Sequence, residues 1–170
     1  MTVLQQISRV PKTADAAILK GIFGGFPTGV TVVTTIDGHS KPVGLTVSAV
    51  MSVSLDPPML AVCLQGAKYT LRAIRERGVF AVNFLARQQA RLSDHFAFGT
   101  DDKFASTGWR AGSETGAPIL ENVRAHAECA VHQIVDAGDH SIIIGQIMSG
   151  DVSETGPLTY CKRQYVDLVG

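Results

Sequence analysis

The amino-acid sequence predicts a mainly β protein, an antiparallel barrel with a few covering helices, and three observations carry that expectation. The first is the stretch 43–55. Val43, Leu45, Val47, Ala49, Met51, Val53 and Leu55 alternate with Gly44, Thr46, Ser48, Val50, Ser52 and Ser54. Successive strand side chains point to opposite faces, so this pattern gives one apolar wall and one small, mostly hydroxylated wall. Solvated strand faces are usually rich in long charged residues, whereas Ser and Thr let a flat, polar-edged ligand approach. The second is length: such a strand would run about 43 Å if straight, and in a small protein it must bend, as barrel strands do. The third is the rest of the chain, where strands follow one another across tight turns without regular strand–helix–strand alternation. That argues against a doubly wound parallel sheet.

Each element follows in order. Residues 15–23 read as a short helix with Ile18, Leu19 and Ile22 inward, broken by Pro27-Thr28-Gly29. Residues 30–36, rich in Val and Thr, read as a strand. Asp37-Gly38 is a hairpin turn signal leading into 43–55, which Asp56-Pro57-Pro58 ends. Residues 59–64 form another apolar strand. A helix over 69–77 buries Leu71 and Ile74 and is capped by Gly78. A strand over 79–85 and a surface helix over 88–98 follow. Residues 99–120 lack periodicity and read as an ordered excursion. Residues 123–135 alternate well, 136–139 form a loop, and 140–148 form a strand rich in Ile.

The 170 residues predict one domain with a real core, and the formal charge of zero, with no strong basic run, argues against a nucleic-acid partner. No apolar run approaches the roughly 20 residues of a membrane span. Residues 1–12 show no signal-peptide core, which predicts a cytoplasmic protein. Cys63, Cys129 and Cys161 lack C-x-x-C spacing, so neither a disulfide framework nor a zinc knuckle is expected. Cys63 and Cys129 sit in apolar strands as small buried residues. No G-x-G-x-x-G follows a strand, so a Rossmann nucleotide site is not supported. His126, Glu128 and His132 fall on one strand face. His126 and His132 would stand about 20 Å apart, too far for one metal ion, so a solvated or dimer-facing surface is expected and no metal. Trp109 reads as a packing anchor.

Four segments together carry a resemblance. They are Phe26-Pro27-Thr28-Gly29-Val30-Thr31-Val32-Val33-Thr34; Gly44-Leu45-Thr46-Val47-Ser48-Ala49 with Ser52-Val53-Ser54-Leu55-Asp56-Pro57-Pro58; Phe80-Ala81-Val82-Asn83-Phe84-Leu85; and Gly138-Asp139-His140 with Ile144-Gly145. In this order they resemble the short-chain flavin reductase family, the reductase components of two-component flavin-dependent monooxygenases. The resemblance spans about 23–165. It implies an antiparallel split β-barrel of the FMN-binding type, a homodimer, and an enzyme that oxidises NADH or NADPH to reduce FMN or FAD. Reduced flavin then diffuses to a partner oxygenase.

The resemblance also implies site residues. Thr46, Val47, Ser48 and Ala49 would lie along the isoalloxazine, their backbone N–H groups bonding its pyrimidine edge. Thr28, with Gly29, would shape the floor near the ring. Ser52 and Ser54 share the hydroxyl face, and Cys63, Leu64 and Gln65 end the next strand beside the flavin. Lys68 and Thr70 would hold the flavin phosphate at a helix start. Relatives often carry Ser where this chain has Lys68, and Tyr69 is bulkier than usual; without a ligand, Thr70 reads as a plain N-cap. Pro27, Asp139 and His140 would meet the nicotinamide. Asn83 interrupts an apolar strand and needs partners, either flavin or a neighbouring loop. No catalytic acid, base or nucleophile is demanded, since hydride transfer needs alignment and a dry site. Two other readings compete: a non-catalytic flavin-binding module, and a pyridoxamine-phosphate-oxidase-like oxidase on a related barrel. The second would want several arginines around an anionic substrate, and the barrel strands carry few.

Overall fold

A computed structural model describes residues 13–99 and 102–168; the leader-free reading of residues 1–12 falls outside them. The chain runs α1 (Ala16–Gly24), β1 (Thr28–Gly29), β2 (Thr31–Ile36), β3 (Pro42–Val47), β4 (Val50–Leu55), β5 (Pro58–Gln65), α2 (Tyr69–Arg77), β6 (Val79–Phe84), α3 (Ala90–Phe98), β7 (Trp109–Ala111), β8 (Pro118–Leu120), β9 (Ala125–Ala137), β10 (His140–Val152), β11 (Thr159–Cys161) and β12 (Gln164–Val166). Seven strands form one antiparallel sheet in the order β3-β2-β6-β9-β10-β5-β4. Its two edges, β3 and β4, are joined only by Ser48 and Ala49. A flat seven-stranded sheet would hold its edges about 29 Å apart. A two-residue link spans at most about 11 Å. The sheet therefore curls until its ends meet, and the covalent chain closes it where no ladder does. The result is mainly β, antiparallel and split-barrel-like, as expected from the sequence.

The stretch 43–55 is not one bent strand. Val50 donates its N–H to the carbonyl of Ser48 (3.1 Å), a turn that breaks the alternation, and Cys63 N–H bonds the carbonyl of Ala49 (3.0 Å). Beyond this crossover the phase inverts. Val50 packs on the core, while Met51, Val53 and Leu55 face outward, Leu55 being 90% exposed. A register shift between Ser52 and Ser54 adds to the twist.

Inside the barrel, Val62, Leu64, Phe80, Val82 and Ile143 are fully buried, and α2 lays Leu71 and Ile74 on them. Gly78 ends α2 in the left-handed conformation (φ 68°), as expected of a C-cap glycine. A second cluster under α3 joins Val32, Leu85, Phe96, Phe104 and Leu158. Trp109 packs edge-on against Phe104 at 5.9 Å, the packing role expected of it. Gly145 faces the Phe80 ring so closely that an added Cβ would lie 2.5 Å from a ring carbon.

Other expectations need correction. Asp15 caps α1 by accepting from the N–H groups of Ala17 and Ile18 (2.9 Å each). No residue of α1 is buried, however, and Ile18, Leu19 and Ile22 are exposed because nothing among the described residues covers that face. The 37–41 turn is organised by the Asp37 carboxylate, which accepts from His39 and Lys41 N–H; Ser40 (φ 62°), not Gly38, takes the left-handed position. Pairing runs through the expected loop to a two-residue turn, with Ala137 opposite His140 and Gly138 at φ 64°. The excursion holds the β7–β8 hairpin, and β11 and β12 form strands the sequence did not signal.

Glu128 is not on a solvated face. It is 1% exposed, and its carboxylate accepts from the N–H groups of Ser113, Glu114 and Thr115 and from the hydroxyls of Ser113 and Thr115, at 2.8–3.3 Å.

Candidate functional site

The crossover at Ser48–Ala49 organises the site. In β5 and β10, Val62, Leu64 and Ile143 point into the barrel, so Ala61, Cys63 and Ile142 point outward. Over these three lies a cleft of about 780 Å³. One wall is Ser48, Ala49, Val50 and Met51; the other is Phe23, Phe26 and Thr28, with Lys20 and Arg163 also lining it. An adjoining cleft of about 560 Å³ shares Thr28 and Ser48 and takes in Pro27, Ser52 and Ser54.

His140 continues the same sheet face. It pairs with Gln65 as Ile142 pairs with Cys63. Asp139, His140 and Gln65 line a groove of about 590 Å³ with Arg75, Asp136 and Ser141. The His140 imidazole lies 2.7 Å from Asp139 Oδ1, and that bond holds the Asp139 carboxyl below its usual range. Burial pushes the Cys63 thiol up, and the charge of Asp139 adds to the shift. The floor of the first cleft therefore feels the turn that carries His140. Beneath the turn, Arg75 pairs with Asp136, which also accepts from the Ser141 hydroxyl (2.7 Å).

A fourth cleft, about 1040 Å³, lies along the open edge of β3 and contains Thr46, Lys68 and Thr70. The backbone bond from Asp37 N–H to Lys41 O fixes the alternation of the β2–β3 ladder. Thr35–Val43, Val33–Leu45 and Thr31–Val47 are then the bonded pairs. The N–H groups of Gly44 and Thr46 point off the edge, free for a ligand. The Thr46 hydroxyl donates to the carbonyl of Ser93 on α3 (2.6 Å). Lys68, not Thr70, occupies the N-cap of α2, and Thr70 is buried just inside the helix. Tyr69 is held aside by its bond to Asp37 (2.8 Å) and by the Arg72 guanidinium over its ring.

Most of the sequence-predicted residues thus line these four adjacent clefts, and three do not. Val47 and Leu64 turn their side chains into the core, and the Val47 carbonyl accepts the Thr31 hydroxyl (2.6 Å). Asn83 is 0% exposed, and its amide is spent on the carbonyls of Val32 and Pro118, the Thr34 hydroxyl and the Leu120 N–H. It braces the β8 strand. Sequence reasoning missed Lys20, Phe23, Phe26, Tyr160 and Arg163, which reach the first cleft only through tertiary placement.

The arrangement suits a flat aromatic ring with a polar edge and an anionic tail. It offers an apolar floor, free edge N–H groups, and a lysine at an uncapped helix start.

Comparison with known proteins agrees. The profile of the Flavin reductase like domain matches residues 23–168. A flavin reductase (NADH) of Kitasatospora aureofaciens is 44% identical over 158 residues, covering 91% of this chain and 83% of that protein. The reductase component of the flavin-dependent trigonelline monooxygenase of Acinetobacter baylyi is 36% identical over 97% of this chain; the chain spans 51% of that protein. The NADH:FAD oxidoreductase of Streptomyces globisporus, solved with NAD and FAD fragments, is similar with a TM-score of 0.87 at 32% identity, covering 95% of this chain and 98% of that one.

Proposed function

Because the chain belongs to the Flavin reductase like domain family, we propose that it is an NAD(P)H:flavin oxidoreductase that delivers reduced FMN or FAD to a partner oxygenase. The observation that carries this reading is the apolar cleft over Ala61, Cys63 and Ile142, with His140 on the same sheet face. When both ligands are bound, the chemistry supplied is hydride transfer from nicotinamide C4 to flavin N5, a solvent proton completing reduction. The chain's own residues align and shield. Ser48, Ala49 and Thr28 flank the ring, and the edge N–H groups of β3 meet its polar atoms. Asp139 and His140 orient the nicotinamide, and Lys68 and Thr70 receive the phosphate; Pro27, expected beside that pair, lies instead with Ser52 and Ser54 toward the Met59 end of β5, whereas His140 pairs with Gln65 at the other end. No side chain is asked to move a proton.

Mixing the purified protein anaerobically with NADH or NADPH and FMN, FAD or riboflavin tests the reading. Oxidation of the nucleotide together with bleaching of the flavin is expected. Flavin that binds without bleaching under either donor would mark a carrier module and overturn the enzyme reading.

We also propose a homodimer. Ile18, Leu19, Ile22 and Phe23 of α1, with Met51, Val53 and Leu55 of β4, leave an exposed apolar surface that a second copy would cover. Light scattering is expected to give twice the 18.1 kDa chain mass. Leu55→Asp should shift it toward the monomer; a wild-type monomer at micromolar concentration contradicts the proposal. Three free thiols, Cys63, Cys129 and Cys161, fit a reducing compartment such as the cytoplasm.

A further inference from the structure

The cleft over Ala61, Cys63 and Ile142 carries two cations on its rim. Lys20 comes from α1 and Arg163 from the turn between β11 and β12, and no Asp or Glu lines this cleft. Asp139, whose charge reaches Cys63 on the floor, is engaged by His140 in the adjoining groove. Among the described residues neither Lys20 nor Arg163 enters an ion pair. Helical spacing sets Lys20 to one side of the Ile18–Ile22 face that a second copy would cover.

The two cations are held near each other by the fold. Lys162 N–H donates to the carbonyl of Gly24 (2.7 Å), which docks the β11–β12 turn on the end of α1. Cys161 pairs with Gln164, so the turn consists of Lys162 (φ 48°) and Arg163 (φ 64°). Two-residue hairpin turns with positive φ at both positions ordinarily use Asn and Gly. Lys and Arg are conformationally unfavourable there, and what they supply instead is charge. Phe26 lines the same cleft, is 65% exposed and stacks on no other ring among the described residues.

An exposed aromatic ring beside two unpaired cations suits a purine joined to phosphate. Bases stack on aromatic side chains, and guanidinium and ammonium groups bind phosphate oxygens. Lys68 and Thr70 lie in the separate cleft along β3, so a phosphate held there leaves this pair unused. We propose that Lys20 and Arg163 bind the phosphate of an adenylate group, the second half of a dinucleotide ligand, with its purine against Phe26. This rests on the reductase reading above. It makes dinucleotides, rather than the corresponding mononucleotides, the ligands this cleft selects.

The test compares whole and truncated ligands for the wild type, Lys20→Gln, Arg163→Asn, Arg163→Lys and the double variant Lys20→Gln with Arg163→Asn. Asn accepts the left-handed turn position and removes the charge, so the hairpin keeps its shape. One arm measures kcat/KM for NADH and for reduced nicotinamide mononucleotide, which lacks the adenylate, with FMN as acceptor. The other measures dissociation constants of FAD and FMN by flavin fluorescence. Each rim cation should contribute about 5-fold, and the double variant should lose about 10- to 30-fold on one dinucleotide while its mononucleotide changes less than about twofold. Arg163→Lys should recover most of the loss. A loss on NADH assigns the site to the pyridine nucleotide, and a loss on FAD assigns it to the flavin. No loss on either dinucleotide, or equal losses on whole and truncated ligands, overturns the proposal. A wild type that neither binds nor bleaches flavin would sink the reductase reading itself, and this site with it.

Discussion

Glu128→Ala is expected to destabilise the chain by about 3–5 kcal/mol, a large share of the stability of a typical domain. The carboxylate is buried and accepts from three backbone N–H groups and two hydroxyls of residues 113–115. Removing it strands those donors beneath the β7–β8 hairpin. Asn83 pins the same hairpin through Leu120 N–H and the Pro118 carbonyl, so the two residues should couple in a double-mutant cycle. The pH dependence has a defined sign. Burial pushes the Glu128 carboxyl up, but the bonds from Thr115, Glu114 and Ser113 outweigh it and hold the group below its ordinary 4.5. A depressed folded-state pKa contributes stability above about pH 4.5 that is lost as pH falls through the folded value. Urea midpoints of the wild type should therefore drop below that pH, and Glu128→Gln should remove this component. A Glu128→Ala unfolding free energy within about 1 kcal/mol of wild type would refute the assignment.

His140→Ala should raise the Michaelis constant for the pyridine nucleotide about 5- to 150-fold, the loss of a positioning contact of about 1–3 kcal/mol. Flavin affinity should hardly change, because His140 lies two residues along β10 from the cleft floor at Ile142. His140→Asn should retain part of the activity, since an amide bonds but does not titrate near neutrality. Stopped-flow hydride transfer from about pH 6 to 9 separates this from proton transfer, under which both variants would lose turnover alike. Collapse of flavin binding in His140→Ala would show that the turn covers the flavin instead.

Much of this architecture was legible in local pattern. The helix over 69–77, its buried Leu71 and Ile74 and its Gly78 cap follow from period and from left-handed glycine geometry, both local properties. The crossover was not legible, because Ser48 and Ala49 preserve the alternation on either side. Only long-range pairing, Thr31 with Val47 and Val50 with Val62, places the two halves at opposite edges. Alternation likewise separates two faces of a strand without saying which one fills the barrel. Val47 and Leu64 were placed at the flavin by the resemblance, and their side chains lie in the core. A charge on a strand ordinarily means solvent, and Glu128 escapes this rule through donors on a loop that has no signature of its own. Arg163 reaches the cleft from a turn where it and Lys162 both take positive φ, a geometry neither residue type advertises.

The two-residue link between β3 and β4 has a kinetic consequence. The hairpins β2–β3 and β4–β5 can each form locally, yet their shared link cannot settle until β6, β9 and β10 lie between them. Those strands bring together residues as distant as Ala61 and Ile144, or Thr31 and Phe84. Loop closure over such separations must precede any gain from the final contacts. The proposed flavin cleft at Ser48–Ala49 is complete only when these long-range pairings have formed, and the topology puts folding of this chain in the millisecond-to-second range expected of non-local β proteins.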